Sequence, residues 1–234
     1  MCGRLNITDD PSVRSLCEAM DIELGYEPQI FKRYLGAASK ISIVRQKAGR
    51  RFMQNAIWWL LLEPTETGFK PSRYTSINTR YDSLNNIRKA GYRPYRQSRV
   101  LIPVKGFGES EYQSGKLLHC YDMQAKDGAL LMAGLCRDWQ HSGTGEVVTS
   151  CSVITLPPHP KLQNIHSKST PMMFPQDKGW IDAWLDDSNQ QVEQFEPLLQ
   201  PTIYQDLVVQ QIAKPSKYQD KLGDEFEIHS DVVS

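Results

Sequence analysis

The sequence predicts an α+β fold, a single domain with an antiparallel, barrel-like mixed β-sheet core and a few peripheral helices, and three observations carry that prediction. Apolar runs rich in Val, Ile, Leu, Trp and Tyr recur along the chain, each bounded by Gly, Pro or Ser. These runs do not alternate with helical patterns, which argues against a doubly wound parallel sheet. Stretches with helical spacing are few and lie toward the two ends of the chain. With 234 residues, 40% hydrophobic and 23% charged, the chain has the size and composition to bury a core as one domain.

The elements follow in order. Asp10 stands where an N-cap would open a short helix over 11–20, with Pro11 at its first position. Strand-like runs cover 40–45, 52–62, 99–104, 117–123, 129–135 and 147–156. Trp, Ile, Phe and Leu return at helical spacing over 179–187 and 190–199. The domain is therefore expected to have a basic part, 1–176, and an acidic helical section, 177–234, whose helices pack on the far side of the barrel. The last fifteen or so residues are polar and are expected to be loose. The longest apolar run, 56–62, is too short to cross a bilayer, and no basic-then-apolar leader pattern opens the chain.

Formal net charge is zero, but it is unevenly spread. Residues 28–62 contain Lys32, Arg33, Lys40, Arg45, Lys47, Arg50 and Arg51 and no acid. Residues 83–108 contain Arg88, Lys89, Arg93, Arg96, Arg99 and Lys105 and again no acid, with Tyr92, Tyr95 and Phe107 interleaved. A cationic surface with flat rings is what single-stranded nucleic acid needs, cations for phosphates and rings for unstacked bases. A merely solvated basic face fits the same charge pattern.

The five cysteines are Cys2, Cys17, Cys120, Cys136 and Cys151. Their odd number, wide spacing and lack of any C-x-x-C pair disfavour a disulfide framework and a zinc site, and point to a reducing cytoplasm. His119, His141 and His159 show no ligand spacing, and no Gly-rich phosphate loop is present, so no metal and no nucleotide cofactor are expected. Cys2 differs from the other cysteines because it follows Met1. A Met before a small side chain is a pattern for methionine removal, which would leave an α-amine and a thiol on adjacent carbons. An α-amine titrates near ~8, against ~10.4 for Lys, so far more of it is nucleophilic at neutral pH. Such a 1,2-aminothiol condenses with an aldehyde and closes to a thiazolidine.

Four blocks in order extend this N-terminus. They are MCGR, with Cys2 and Arg4; YTSINTRYDSL, with Asn78 and Arg80; RVLIPVKGFGESE, with Glu109; and SVITLPPHPKLQNIHSKSTPMMF, with His166. Together with the strand MAGLCRDW they resemble the SOS-response-associated peptidase (SRAP) family, whose members process abasic sites in single-stranded DNA. The likeness spans most of 1–175. The sequence departs from the family pattern in several places. Asp82 stands for a Glu, Gly108 and Ser110 stand for aromatics beside Glu109, and Lys105 replaces a common Asp. One extra residue separates His166 from Pro171, and Lys168 stands near a usual Arg.

The resemblance implies a protein that crosslinks covalently to abasic sites through Cys2 after loss of Met1, shielding the lesion, with associated lyase or autoproteolytic activity. It implies Cys2 as nucleophile and His166 as donor of a proton to the sugar ring oxygen, its ordinary pKa lying near ~6.5. Glu109 would shuttle protons at the amine, and Asn78 would orient the amine or bond the developing alkoxide. Arg4, Arg80 and Lys168 would hold phosphates, while Trp58, Trp59 and Phe107 would stack bases. The implied partner is single-stranded DNA bearing abasic sites, met by a monomer. Two other readings stay open. Class II glutamine amidotransferases also begin Met-Cys-Gly, and a non-catalytic single-strand binder would need only the basic, aromatic surface.

Overall fold

The computed structural model describes residues 3–22 and 27–232. Among them β1 (Arg4–Ile7) leads into α1 (Pro11–Ala19), β2 (Lys32–Gly36), β3 (Lys40–Lys47), β4 (Arg50–Trp58), β5 (Leu62–Pro64), β6 (Phe69–Pro71) and β7 (Asn78–Arg80). Next come α2 (Tyr92–Gln97), β8 (Arg99–Val104), β9 (Gly106–Gln113), β10 (Lys116–Ala125), β11 (Leu130–Gln140) and β12 (Val147–Leu156). The remainder holds β13 (Thr170–Pro171), β14 (Met173–Phe174), α3 (Lys178–Leu185), a 3-10 segment at Val192–Leu199, β15 (Leu207–Ile212) and β16 (Lys221–Ile228).

Strands β12, β4, β3, β8 and β11 close into a five-stranded barrel, with β11 returning to pair β12. Its seams are antiparallel except for β12 against β4, which is parallel. At the closure a Cβ on Gly134 would stand 2.7 Å from the Ser152 carbonyl oxygen, so the two strands meet only because that position has no side chain. A six-stranded antiparallel sheet, in the order β16-β15-β10-β9-β1-β2, packs beside the barrel.

Burial on both faces explains why the barrel strands read as unbroken apolar runs. On β8, Val100, Ile102 and Val104 share one core with Leu5, Phe107, Met123 and Val209 of the six-stranded sheet. Leu101, on the opposite face, packs in a second core with Val13 and Leu16 of α1 and Ile181 and Trp184 of α3. Asp10 caps α1 by accepting from the Ser12 amide at 2.9 Å, and Asp177 caps α3 by accepting from Trp180 at 3.0 Å. Caps of this kind are worth about 1 kcal/mol each.

Several expectations change. The expected helix over 190–199 is a 3-10 segment, because Pro197 inside it cannot donate a helical hydrogen bond. The section after residue 177 is not purely helical, since β15 and β16 extend the sheet from β10. The polar end of the chain is thereby tied into that sheet rather than left loose: pairing with β15 satisfies the β16 backbone although nearly all its side chains are exposed. Helix α2 carries no apolar periodicity. Its Pro94 sits in the first turn, where no intrahelical N–H bond is lost.

The two acid-free stretches also resolve differently from a single basic groove. Arg45 pairs with Asp138 at 2.8 Å, Arg51 with Asp182 at 2.5 Å and Arg33 with Asp122 at 3.0 Å. Arg99 is buried and donates to the carbonyls of Tyr95, Arg96, Trp184, Asp186 and Asn189 at 2.7–3.1 Å. Its planar fork ties α2 to the end of α3. A Lys ammonium has three donors on one atom and cannot span those five acceptors. Arg99→Lys is therefore expected to lower the unfolding free energy by about 2–4 kcal/mol, as measured by urea denaturation.

Candidate functional site

Strand β9 sorts its residues by alternation. Phe107, Glu109 and Glu111 point to one face, and Gly108, Ser110 and Tyr112 to the other. Arg4 lies opposite Gly108 in register, and its guanidinium crosses that glycine. A Cβ on Gly108 would come within 2.6 Å of it. The buried guanidinium donates to the carbonyls of Glu109 at 2.9 Å and Tyr121 at 3.0 Å, and lies 3.7 Å from Asp122. Arg4 is thus built into the sheet, not extended to meet a phosphate, although it lines a cavity of about 370 Å³ together with Gly3, His166 and Lys168. Cys2 lies outside the described residues. Gly3, to which it is bonded, is on the cavity wall.

Glu109 and His166 are both buried, with 2% and 5% of their surface exposed. Burial pushes the Glu109 carboxyl up to about 7, with the Arg4 charge opposing the rise. Burial pulls His166 down to about 4, against the attraction of Glu111. Its Nδ1 lies 2.8 Å from Glu111 Oε2. A carboxylate this close favours the tautomer that carries its proton on Nδ1. The Glu109 carboxyl is thus shifted toward keeping its proton to higher pH, and the imidazole toward its neutral form. These directions favour Glu109 as a holder of a proton near neutrality, a part that the resemblance implied for His166.

Glu111 is the residue that sequence reasoning passed over. Besides its approach to His166 it accepts from the Ser167 hydroxyl at 3.0 Å and lies 4.0 Å from Lys168 Nζ. Burial works against its ionisation, but the Ser167 bonds and the nearby cations hold its carboxyl below the usual value. The available signal was its place two residues beyond Glu109 on one strand face.

Asn78 and Arg80 belong to β7, which pairs parallel to β12 through Asn78–Val153 and Thr155–Arg80. They line a second cavity of about 450 Å³. A small cavity of about 160 Å³, lined by both Lys168 and Arg80, lies between the two sets of residues. Arg80 is exposed and bidentate to Asp82, at 3.1 and 2.5 Å. Lys168 is exposed as well, so these two cations, unlike Arg4, present their charge to solvent.

The expected base-stacking aromatics do not stand together. Trp58 is fully buried, with its indole N–H donating to Ile77 O at 2.8 Å, and Phe107 is a core residue. Neither offers a face to a base. Trp59 is half-buried against the same core. His119 and His141 are held by main-chain carbonyls, those of Ile165 and Thr65, and His159 by the Asp231 carboxylate. Among the described residues, Asp206, Glu227 and His229 bring potential metal ligand atoms within 4.8 Å of one another. Lys126 already lies 2.7 Å from Glu227.

A family model for the SOS response associated peptidase (SRAP) matches residues 1–215. No curated protein matches. Among solved structures, a protein of Bordetella bronchiseptica is similar at TM-score 0.67 and 16% identity, covering 91% of this chain and 100% of its own. One from Bacteroides thetaiotaomicron is similar at TM-score 0.69 and 16% identity, covering 91% and 93%. A phage-related protein of Bordetella bronchiseptica is similar at TM-score 0.59 and 16% identity, covering 85% and 87%. At such identity the likeness is one of fold.

The two perturbed groups act oppositely on stability. Between pH 4.5 and about 7 the unfolded Glu109 carboxyl has lost its proton while the folded one keeps it, so stability falls as pH rises. Between about 4 and 6.5 the unfolded imidazole holds a proton that folded His166 lacks, so stability rises with pH. Glu109→Gln removes the first effect. It is expected to be more stable than the parent by about 3 kcal/mol at pH 8, with the gap closing by pH 4.5, as read from urea denaturation at the two pH values.

Proposed function

The chain belongs to the SOS response associated peptidase (SRAP) family, which supports a role in the response to DNA damage, and from that premise we propose that it crosslinks itself to abasic sites in single-stranded DNA through Cys2. The observation that carries this reading is the cavity at Gly3, whose wall includes His166, with its imidazole lowered to about 4, and Gly108, the chain neighbour of the buried Glu109, with its carboxyl raised to about 7. Groups whose environments push their pKa values apart are suited to separate acid and base roles.

In this reading Met1 is removed and the Cys2 amine is exposed. The abasic sugar exists mostly as a closed hemiacetal. His166 Nε2 takes the hydroxyl proton from C1 while the protonated Glu109 supplies one toward the ring oxygen, and the ring opens to the aldehyde. The Cys2 nitrogen then attacks the aldehyde carbon, and the carbonyl oxygen leaves as water to give an imine. The thiol adds to the imine carbon, its proton passing to nitrogen, and the thiazolidine closes. Before that closure the imine is open to β-elimination, which would cleave the strand. The peptidase activity in the family's name corresponds here to exposure of Cys2. Lys168 and Arg80, the two exposed cations flanking the small cavity, are the candidates for phosphate contact, and Asn78 for orienting the lesion. We also propose a reducing compartment, the cytoplasm, for a protein whose described cysteines are all free.

Incubation with single-stranded DNA bearing one abasic site is expected to give a heat-stable adduct on a denaturing gel. Cys2→Ala should abolish it, and an undiminished adduct from that variant would sink the proposal. Adduct formation should slow as pH rises past about 7, where Glu109 loses its proton. Glu109→Gln should form adduct about 10²-fold more slowly and lose that limb of the profile.

Mass spectrometry of the crosslinking-competent protein is expected to show Cys2 as its first residue. Competent protein that retains Met1 would contradict the mechanism.

A further inference from the structure

The cavity beside Gly3 has a second half that the chemistry above does not use. Gly108 and Arg4 both line the cavity, and the Arg4 guanidinium lying across Gly108 forbids any side chain there. The wall there also includes Tyr34, Tyr112 and Pro215. Tyr34 is braced from behind: its ring stacks on Tyr218 at 6.3 Å and 13°, the Arg33 guanidinium lies 4.9 Å from the Tyr218 ring centre, and that of Arg4 lies 5.6 Å from the Tyr34 ring centre. Tyr34 is thus a fixed wall. Tyr112, on the same face of β9 as Gly108 and Ser110, is 52% exposed and is the free aromatic surface of the cavity. Lys168 supplies a cation at the rim. A volume of about 370 Å³ exceeds what a sugar aldehyde occupies and leaves room for one flat heterocycle.

We propose that this half is a subsite for the nucleobase next to the lesion, which stacks on Tyr112 against the Tyr34 wall. The inference rests on the abasic-site reading and deepens it. A base beside an abasic site has lost one stacking neighbour, so turning it out of the strand costs less than for an intact sequence. A phenol ring accepts any base by its π-face, so the subsite selects for the presence of a neighbouring base more than for its identity. The preferred substrate is then an abasic site with an intact neighbour, and a run of adjacent abasic sites is a poor one.

The test is a binding measurement that needs no crosslink. Fluorescence anisotropy would compare two single-stranded oligonucleotides carrying a tetrahydrofuran abasic analogue, which has no aldehyde. One is flanked by adenines and the other by further tetrahydrofuran residues. The adenine-flanked strand is expected to bind roughly tenfold more tightly. Tyr112→Ala should remove most of that gap and Tyr112→Phe should keep it. Tyr112 is exposed, so neither change threatens the fold, and Tyr34→Phe should leave the gap intact. Equal Kd values for the two strands, no measurable binding, or a gap that survives Tyr112→Ala would overturn the subsite. A base-dependent Kd without any adduct on reactive DNA would instead keep the subsite and remove the crosslinking chemistry.

Discussion

At the start of β1 one guanidinium is held out of water against three neighbouring strands. Arg4 bonds the main chain of β9 and of β10 and approaches Asp122, which is also paired to Arg33 of β2. A buried guanidinium is costly unless its donors are met, so this arrangement fixes the relative position of β2, β1, β9 and β10 at the point where Gly3 enters the cavity wall. It requires a glycine at position 108. It also places Glu109 on the face of β9 turned away from Arg4's own face, among buried groups. The cavity wall at Gly3 and Gly108 thus rests on this one buried guanidinium.

The electrostatics of the site follow from that burial more than from any single charge. Glu109 and His166 are both short of water, and desolvation disfavours whichever form is charged, so the acid moves up and the base moves down. Each is thereby shifted toward its neutral form, the acid keeping its proton to higher pH and the imidazole losing its own at lower pH. Glu111, anchored by Ser167, lies 2.8 Å from Nδ1 and favours the tautomer protonated there. The arrangement suits proton traffic at a hemiacetal, where one oxygen must lose a proton and another gain one.

Legibility of the fold in the sequence tracked burial. The barrel strands at 99–104 and 147–156 coincide with β8 and β12, because strands covered on both faces write themselves as continuous apolar runs. Strand β16 could not be read so, since its side chains face water and only its pairing with β15 holds it. The 190–199 segment has the apolar spacing of a helix, but Pro197 turns it to 3-10 geometry. The basic stretches signalled a groove, yet Arg33, Arg45, Arg51 and Arg99 find partners far away in sequence, at Asp122, Asp138, Asp182 and the end of α3.

By itself, the sequence determined the α+β class, the principal strands, the cap at Asp10, and the block order in which Cys2, Asn78, Glu109 and His166 appear. These are local matters of periodicity, capping and motif. Only the tertiary structure decided that Trp58 and Phe107 are core residues, that Arg4 braces the sheet, and that Arg80 and Lys168 keep their charge at the surface. It alone decided the directions in which Glu109 and His166 are shifted from their ordinary values. Desolvation depends on what surrounds a side chain from every direction, and those surroundings come from strands that are distant in sequence and adjacent only once the sheet and the barrel have formed.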